Sequence, residues 1–328
     1  MPSLLSFPAL LVLICALLVF IPSARSQSID TRQKPREMAL SQTEPKPLRA
    51  KPLRVDVDLV LVPVTVTDPM SRPVLDLQKQ DFKVYEDNEL QQIQYFSAEE
   101  APISVGLLLD MSKSMANKFV TERAAAEEFF KNANPQDDYF VITFADRPQL
   151  LTSSIQSIED MQQILSSDTP DGHTALLDAI YMAIAKMRNA RYQRRALLSI
   201  SDGGDNHSRY GLKEIRRLVE EANVEVYAVG MFDSALFRSF EEFMGKRWLA
   251  EITDISGGET VAAAGLEKVP EVAAAISRQM RTQYVLGYRP QSRERGSKWR
   301  KIKVDVTLSP GSPRPQAHYR KGYVVAAR

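Results

Sequence analysis

Short apolar runs alternate with helical segments through the middle of the chain, and this alternation limits the possible folds more than any other feature. The runs "ISVGLLLD", "DDYFVITF", "RRALLSISD" and "VEVYAVGMF" have the nearly continuous apolar character of strands buried on both faces. Between the second and the third, "TALLDAIYMAIAKMRNA" places four apolar residues on one helical stripe: Leu177, Ile180, Ile184 and Met187. Repeated strand–helix units predict an α/β domain at 101–282, with a doubly wound, mostly parallel, Rossmann-like sheet.

Strand patterns also lie on both sides of this region. Toward the amino terminus, "RVDVDLVLVPVTVTD" predicts a strand, and "DFKVYEDNELQQIQYF" predicts a strand, an Asp-Asn turn and a second strand. Toward the carboxyl terminus, "QYVLGYRP", "KWRKIKVDVTL" and "HYRKGYVV" predict three more. Neither set is large enough for a good sandwich by itself. We therefore expect one β-sandwich, built from residues 54–100 and 283–328, into which the α/β domain is inserted.

The first 53 residues have the pattern of a targeting segment and a tether. The run from Leu10 to Ile21 is almost wholly apolar, and Ala24 and Ser26 occupy the small-residue positions before a cleavage site. This predicts a signal peptide at 1–26 and an exported protein, periplasmic or secreted. The run is shorter than the ~20 residues of a membrane span, so no stable span is expected after cleavage; an uncleaved anchor is the alternative. Residues 27–53 hold four prolines and many charges, which predicts a flexible linker.

Charge and cysteine content narrow the classes of partner and the sources of stability. The chain has 42 Lys and Arg residues against 41 Asp and Glu residues, and cleavage would remove Arg25, which leaves no net charge. Such a balance argues against a general nucleic-acid binder. The single cysteine, Cys15, lies in the predicted signal peptide, so the exported chain is expected to have no disulfide.

Hard oxygen donors follow the predicted strands. Two apolar strands end in aspartate, at Asp110 and Asp202. Ser112 and Ser114 follow the first aspartate at every second position, and Thr174 stands at the start of a predicted helix. Because the carboxyl ends of parallel strands meet at one edge of a sheet, these five residues are expected to converge. Oxygen donors without sulfur or imidazole are the set that Mg²⁺ or Mn²⁺ prefers.

Each of these residues also has a local structural role open to it. Ser112, Ser114 or Thr174 could cap a helix, and Asp202 before two glycines could be an ordinary turn residue. Capping does not, however, require aspartates at the ends of two separate buried strands. The combination favours a metal site.

The order D-x-S-x-S, then Thr, then Asp before Gly resembles the metal-ion-dependent adhesion site (MIDAS) of von Willebrand factor A (VWA) domains. The resemblance implies that Ser112, Ser114 and Thr174 ligate the ion directly, while Asp110 and Asp202 act largely through water. The segments "VPVTVTD", "DFKVYEDN" and "QYVLGY" are also similar to those of a secreted bacterial family described as VWA-related. The resemblance implies an exported protein-binding or adhesion module that captures an Asp or Glu of a protein partner.

One position departs from the family pattern. The family often has a small residue, typically glycine, between the two serines, where this chain has Lys113. An inward-pointing ammonium would weaken metal binding, whereas an exposed one would help to receive an acidic partner. We expect an exposed side chain, because burying an ammonium beside a metal ion would be costly.

Catalytic motifs give no support to an enzyme, and no catalytic residue is predicted. The chain has no G-x-S-x-G elbow, no G-x-x-x-x-G-K-[ST] loop and no H-E-x-x-H helix. Asp56 and Asp58 have a phosphatase-like spacing but belong to the solvent face of an alternating strand. His173 and His207, with Asp205, suggest zinc but lack a recognisable ligand spacing, so we interpret the histidines as loop residues. A hydrolase that uses metal-bound water and a structural domain without metal remain the alternatives.

Overall fold

The computed structural model of the chain describes residues 59–98, 100–152, 158–165, 169–232, 240–291, 299–308 and 314–325. The predicted signal peptide, the predicted linker and the pair Asp56 and Asp58 lie outside these residues. None of the described helices is both long enough and apolar enough to cross a membrane.

The described residues form fourteen strands and six α-helices. The strands are β1 (Val60–Thr67), β2 (Phe82–Glu86), β3 (Glu89–Gln91), β4 (Ile93–Ser97), β5 (Ser104–Asp110), β6 (Asp138–Phe144), β7 (Pro148–Thr152), β8 (Arg195–Ser201), β9 (Glu225–Gly230), β10 (Thr260–Ala262), β11 (Gln283–Tyr288), β12 (Trp299–Val306), β13 (Gln316–His318) and β14 (Gly322–Val324). The helices are α1 (Phe119–Lys131), α2 (Ile158–Leu165), α3 (Leu176–Met187), α4 (Leu212–Ala222), α5 (Phe240–Ser256) and α6 (Val269–Gln279).

The central sheet has six strands in the order β10-β9-β8-β5-β6-β7, and only the edge strand β7 runs antiparallel to its neighbour. Successive side chains of a strand point to opposite faces. Leu107 and Leu109 accordingly belong to a core shared with α1 and α6, while Leu108 belongs to a second core shared with α3, α4 and α5. Helices therefore cover both faces, which confirms the predicted doubly wound α/β sheet.

The strands near the two ends of the chain form two further sheets of four strands each, β13-β1-β11-β4 and β14-β12-β2-β3. Both are antiparallel, and the pairs β1–β11 and β2–β12 join the beginning of the described chain to its end. Val64 from the first sheet and Val84 and Ile302 from the second belong to one buried core. The prediction of a sandwich assembled from both ends is thus confirmed.

Two segments differ from the sequence prediction. The residues after the Asp87–Asn88 turn were expected to form one strand but divide into β3, which pairs with β2, and β4, which pairs with β11 of the other sheet. The segment "HYRKGYVV" was likewise expected to be one strand, whereas β13 and β14 belong to different sheets. Each segment crosses from one layer of the sandwich to the other, and alternation along the chain does not reveal such a crossing.

A buried polar cluster ties the sandwich together. The carboxylate of Glu86 in β2 accepts hydrogen bonds from the hydroxyls of Tyr288 (2.7 Å) and Tyr323 (2.8 Å). It also accepts one from the guanidinium of Arg300, at 3.0 Å. Because these donors belong to β11, β14 and β12, one side chain links both sheets and both ends of the chain.

Candidate metal centre

Asp110 is the last residue of β5 and is fully buried. Its Oδ1 accepts a hydrogen bond from the Ser112 N–H at 3.0 Å, and its Oδ2 accepts one from the Ser201 hydroxyl at 2.5 Å. Burial, and secondarily the charge of Asp202, raises the pKa of Asp110 to about 7. The carboxylate is therefore held between two neighbouring strands at the carboxyl edge of the sheet.

Ser112 and Ser114 lie in the turn that follows β5. Their hydroxyl oxygens are 3.1 Å apart, and Ser112 makes no side-chain capping bond although it begins a short 3-10 turn. Two ligands at right angles on Mg²⁺, each ~2.0–2.1 Å from the ion, are separated by about 3 Å. The hydroxyls thus have the spacing of neighbouring positions in an octahedral shell. Met115 is buried in the core and anchors the turn.

Thr174 and Asp202 come from two other loops and approach each other, and Asp202 is near enough to Asp110 for its charge to act on that carboxyl group. A methyl group added to Gly204 would lie 3.5 Å from Asp202 Oδ1 and 3.9 Å from Thr174 Oγ1. Both side chains are buried. Asp202 Oδ1 accepts the Gly204 N–H at 3.3 Å, so the turn role considered for this residue is present as well. Thr174 is not a helix cap, because the capping position of α3 is Ala175.

Four polar residues fix these loops against each other, a role that the sequence analysis did not predict; it considered only Asp205 among them, as a possible zinc ligand. Asn206 accepts the Thr174 N–H at 2.9 Å, and Asp205 accepts the Leu177 N–H at 2.8 Å. The other two, Asp178 and Ser208, make further bonds between the loop after β8 and the first turn of α3. Two features of the sequence could have indicated these supporting residues. One is the run of polar residues after a strand in "SDGGDNHSR", and the other is the acidic residue in the first turn of the helix pattern before that strand, Asp178.

Two more missed residues come from α1 and the position just before it. The ammonium of Lys118 lies 3.4 Å from Asp202 Oδ2, and both side chains are almost completely buried. Glu122, one helical turn later, accepts the Asp110 N–H through Oε1 at 2.7 Å. Burial, then the charge of Asp110, raises the pKa of Glu122 well above its usual value. Its Oε2 is buried without a hydrogen-bond partner among the described residues.

A family model described as von Willebrand factor type A domain matches residues 105–204, the span from β5 to the loop after β8. This part of the chain is a VWA domain. The matched span contains all five residues of the predicted metal site and ends at Gly204, the residue beside Asp202 and Thr174. No curated protein sequence matches the chain.

Several solved structures are similar to the chain at low sequence identity. An aerotolerance-related membrane protein from Bacteroides fragilis is 17% identical with a TM-score of 0.44, over 54% of this chain and 98% of that one. A von Willebrand factor type A protein from Catenulispora acidiphila is 11% identical with a TM-score of 0.47, over 83% and 73%. Proximal thread matrix protein 1 from the mussel byssus, with a zinc-occupied MIDAS motif, is 15% identical with a TM-score of 0.44, over 60% and 49%.

The donors of the VWA domain suit a hard divalent cation. Three hydroxyls and the carboxylates of Asp110 and Asp202 border one edge of the sheet, and hydroxyl and carboxylate oxygens are the ligands of Mg²⁺ and Mn²⁺. Buried carboxylates need a compensating positive charge. The residues present therefore fit the ion that the family pattern implies.

The histidines of this edge contact an aspartate and each other. Nδ1 of His173 lies 2.9 Å from Asp146, and the ring stacks on His207 with centroids 4.9 Å apart, while Asp205 bonds to the start of α3. Within the described ranges, no three His, Cys, Asp or Glu residues are grouped so that they could hold a metal ion. Both histidines are exposed, as expected of loop residues.

The rim of the site carries exposed cations. Lys113 is exposed, which confirms the orientation expected from its sequence position, and its N–H donates to the Gly172 carbonyl at 3.1 Å. Arg209, at the end of the loop that follows Asp202, is 79% exposed and donates to Asp178 at 2.9 Å. The side chain of Lys113 thus extends into solvent between the two predicted serine ligands, whereas the charge of Arg209 is paired with Asp178.

Proposed function

We propose that the protein is an exported binding module whose VWA domain captures an Asp or Glu side chain of a protein partner through Mg²⁺ or Mn²⁺. The direct ligands in this proposal are Ser112, Ser114 and Thr174, with Asp110 and Asp202 behind them. The 3.1 Å spacing of the two serine hydroxyls, in front of a buried carboxylate, is the observation that carries the proposal.

The protein residues prepare the site before a partner arrives. Ser112 N–H and Ser201 hold the Asp110 carboxylate from both sides, so little reorganisation is needed when the ion binds. Asn206 and Asp205 hold the Thr174 loop against α3. A bound ion would supply an open coordination position with strong positive charge, because neutral hydroxyls compensate little of it, and that position attracts a carboxylate.

The rim supports an acidic partner. Lys113 is an exposed cation between the two predicted serine ligands, and Arg209, at the end of the loop after Asp202, is exposed but paired with Asp178. Such charges accelerate the encounter with a negatively charged partner and disfavour a basic one. Lys113 therefore serves in partner selection, in the position where the family often has glycine.

Isothermal titration with Mn²⁺ tests the proposal directly. The wild type should bind, Asp110→Asn should lose binding, and Thr174→Ala should bind more weakly because it lacks one hydroxyl ligand. Asp110→Asn is preferred to alanine because Asp110 is fully buried and its oxygens satisfy two donors. Asp171→Asn is the matched control, since this carboxylate is exposed on the neighbouring loop. Circular dichroism verifies that each variant is folded.

The outcomes separate this function from its alternatives. Equal affinity in wild type and Asp110→Asn, or no binding in either, would leave the structural domain without metal as the better interpretation. A partner, once isolated, should be released by EDTA and by Asp→Asn or Glu→Gln changes in its key acid. Hydrolysis of generic esters or phosphoesters that depends on Mn²⁺ would favour the metal-dependent hydrolase instead.

Export is the second part of the proposal and rests on residues 1–26. The intact mass of the protein recovered outside the cytoplasm should correspond to a chain that begins near Gln27. A mass that still includes Cys15 would contradict cleavage and support the uncleaved anchor.

A further inference from the structure

The charged end of Lys118 lies beside the predicted metal site and not on the protein surface. Lys118 immediately precedes α1, and its ammonium lies 3.4 Å from Asp202 Oδ2. The side chain of Lys118 is 6% exposed and that of Asp202 is 1% exposed. A lysine on a helix end usually extends its charge into water, because an ammonium is costly to bury. Here it is buried against one of the five predicted metal-site residues.

The surroundings of Lys118 are rich in carboxylates. Glu122 follows it by one helical turn, so the first turn of α1 presents an ammonium and a carboxylate to the same edge of the sheet. Glu122 contacts Asp110 directly, because its Oε1 accepts a hydrogen bond from the Asp110 backbone N–H. The ammonium thus lies against Asp202, in the same part of the sheet edge as the buried carboxyl groups of Asp110 and Glu122.

We propose that Lys118 is an internal counter-cation that pairs with Asp202 when no divalent ion is bound and competes with the ion for that carboxylate. It therefore lowers the affinity of the site for the ion and makes loading respond to the ion concentration. The inference rests on the proposed function, because it requires ion binding at these residues. Its physical basis is that positive charges held close together in a site of low dielectric repel each other strongly.

The test is a titration of Lys118→Met with Mn²⁺. Methionine keeps the unbranched apolar stem and removes only the charge. The variant should bind Mn²⁺ about tenfold or more tightly than wild type, because the repulsion and the competition for Asp202 are both removed. Lys113→Met is the matched control: it removes the same charge from an exposed position in the same connection between β5 and α1, and it should change the affinity much less.

A thermal melt gives a second readout. In EDTA, Lys118→Met should melt below wild type, because Asp202 then lacks its buried partner. Saturating Mn²⁺ should raise its melting temperature by more than it raises that of wild type. If Lys118→Met does not fold without metal, Lys118→Gln replaces it, since the amide still donates to Asp202 without carrying a charge.

The outcomes distinguish this inference from the proposed function. If wild type binds Mn²⁺ and the Lys118→Met and Lys118→Gln variants bind it with equal or lower affinity, Lys118 only positions Asp202. The inference is then overturned and the metal site stands. If the Lys118 variants bind Mn²⁺ and wild type does not, the ammonium of Lys118 occupies the place of the ion and the inference holds. If no protein binds, the proposed function fails and the inference fails with it.

Discussion

Replacing Glu86 should separate the two ends of the chain. Glu86 is 3% exposed, and its carboxylate is the shared acceptor of Tyr288, Tyr323 and Arg300. Glu86→Ala would leave the Arg300 guanidinium, itself 4% exposed, without its nearest negative partner. The two tyrosine hydroxyls would also lose their acceptor.

The expected cost follows from these contacts. Removing one partner of a buried ion pair costs ~3–5 kcal/mol. An orphaned buried hydroxyl adds ~1 kcal/mol or more, with the smaller value for Tyr323, which is only partly buried. Asp87, whose Oδ2 is 3.9 Å from Arg300, compensates a small part. Because such terms are not additive, we expect the free energy of unfolding of the sandwich to fall by about 4 kcal/mol.

Tryptophan fluorescence during urea unfolding can measure this change in the sandwich alone. The chain has two tryptophans, Trp248 in α5 and Trp299 in β12, so a Trp248→Phe background leaves a reporter only in the sandwich. Glu89→Ala is the matched control, an exposed glutamate of the same hairpin, and it should stay within ~0.5 kcal/mol of the background. A Glu86→Ala protein as stable as this control would refute the argument that the cluster joins the two ends.

Two further predictions concern the central domain. Gly245→Ala in α5 should lower the free energy of unfolding by ~1–3 kcal/mol and should also weaken Mn²⁺ binding, because the added methyl group would collide with the Gly203 carbonyl beside Asp202. Thermal melts and Mn²⁺ titration measure the two effects. An unchanged affinity for Mn²⁺ would contradict a link between the packing of α5 and the metal site. In the Glu225→Gln variant, the free energy of unfolding should increase relative to that of wild type as the pH rises above about 4. Burial raises the pKa of Glu225, even though Gln283 and Tyr227 donate to it and Arg194 and Arg320 are near, so the wild type loses stability as this carboxyl ionises. Melts of both proteins at pH 5 and pH 8 test this, and a stability difference that does not grow with pH would count against it.

Local patterns in the sequence determined the architecture of the central domain. Unbroken apolar strands separated by amphipathic helices permit few arrangements other than a parallel sheet with helices on both faces, because each strand must be covered twice. The same logic placed Asp110 and Asp202 at one sheet edge, since parallel strands end on the same side. The exposure of Lys113 followed from the cost of burying a charge. Too few strands at either end also required the sandwich to be shared.

Tertiary structure alone decided how the metal-site region is charged and supported. Lys118 and Glu122 belong to a segment that reads as an ordinary helix, and only the packing of α1 against β5 turns both side chains toward the buried aspartates. The division of β3 from β4, and of β13 from β14, depends on which sheet completes the sandwich core. For the strands, the sheet that each one joins is decided by pairing with residues far apart in the chain. For α1, the tertiary packing decides which side of the helix faces inward. Hydrophobic periodicity along a sequence records that a residue is buried, but it does not record the partner against which it is buried.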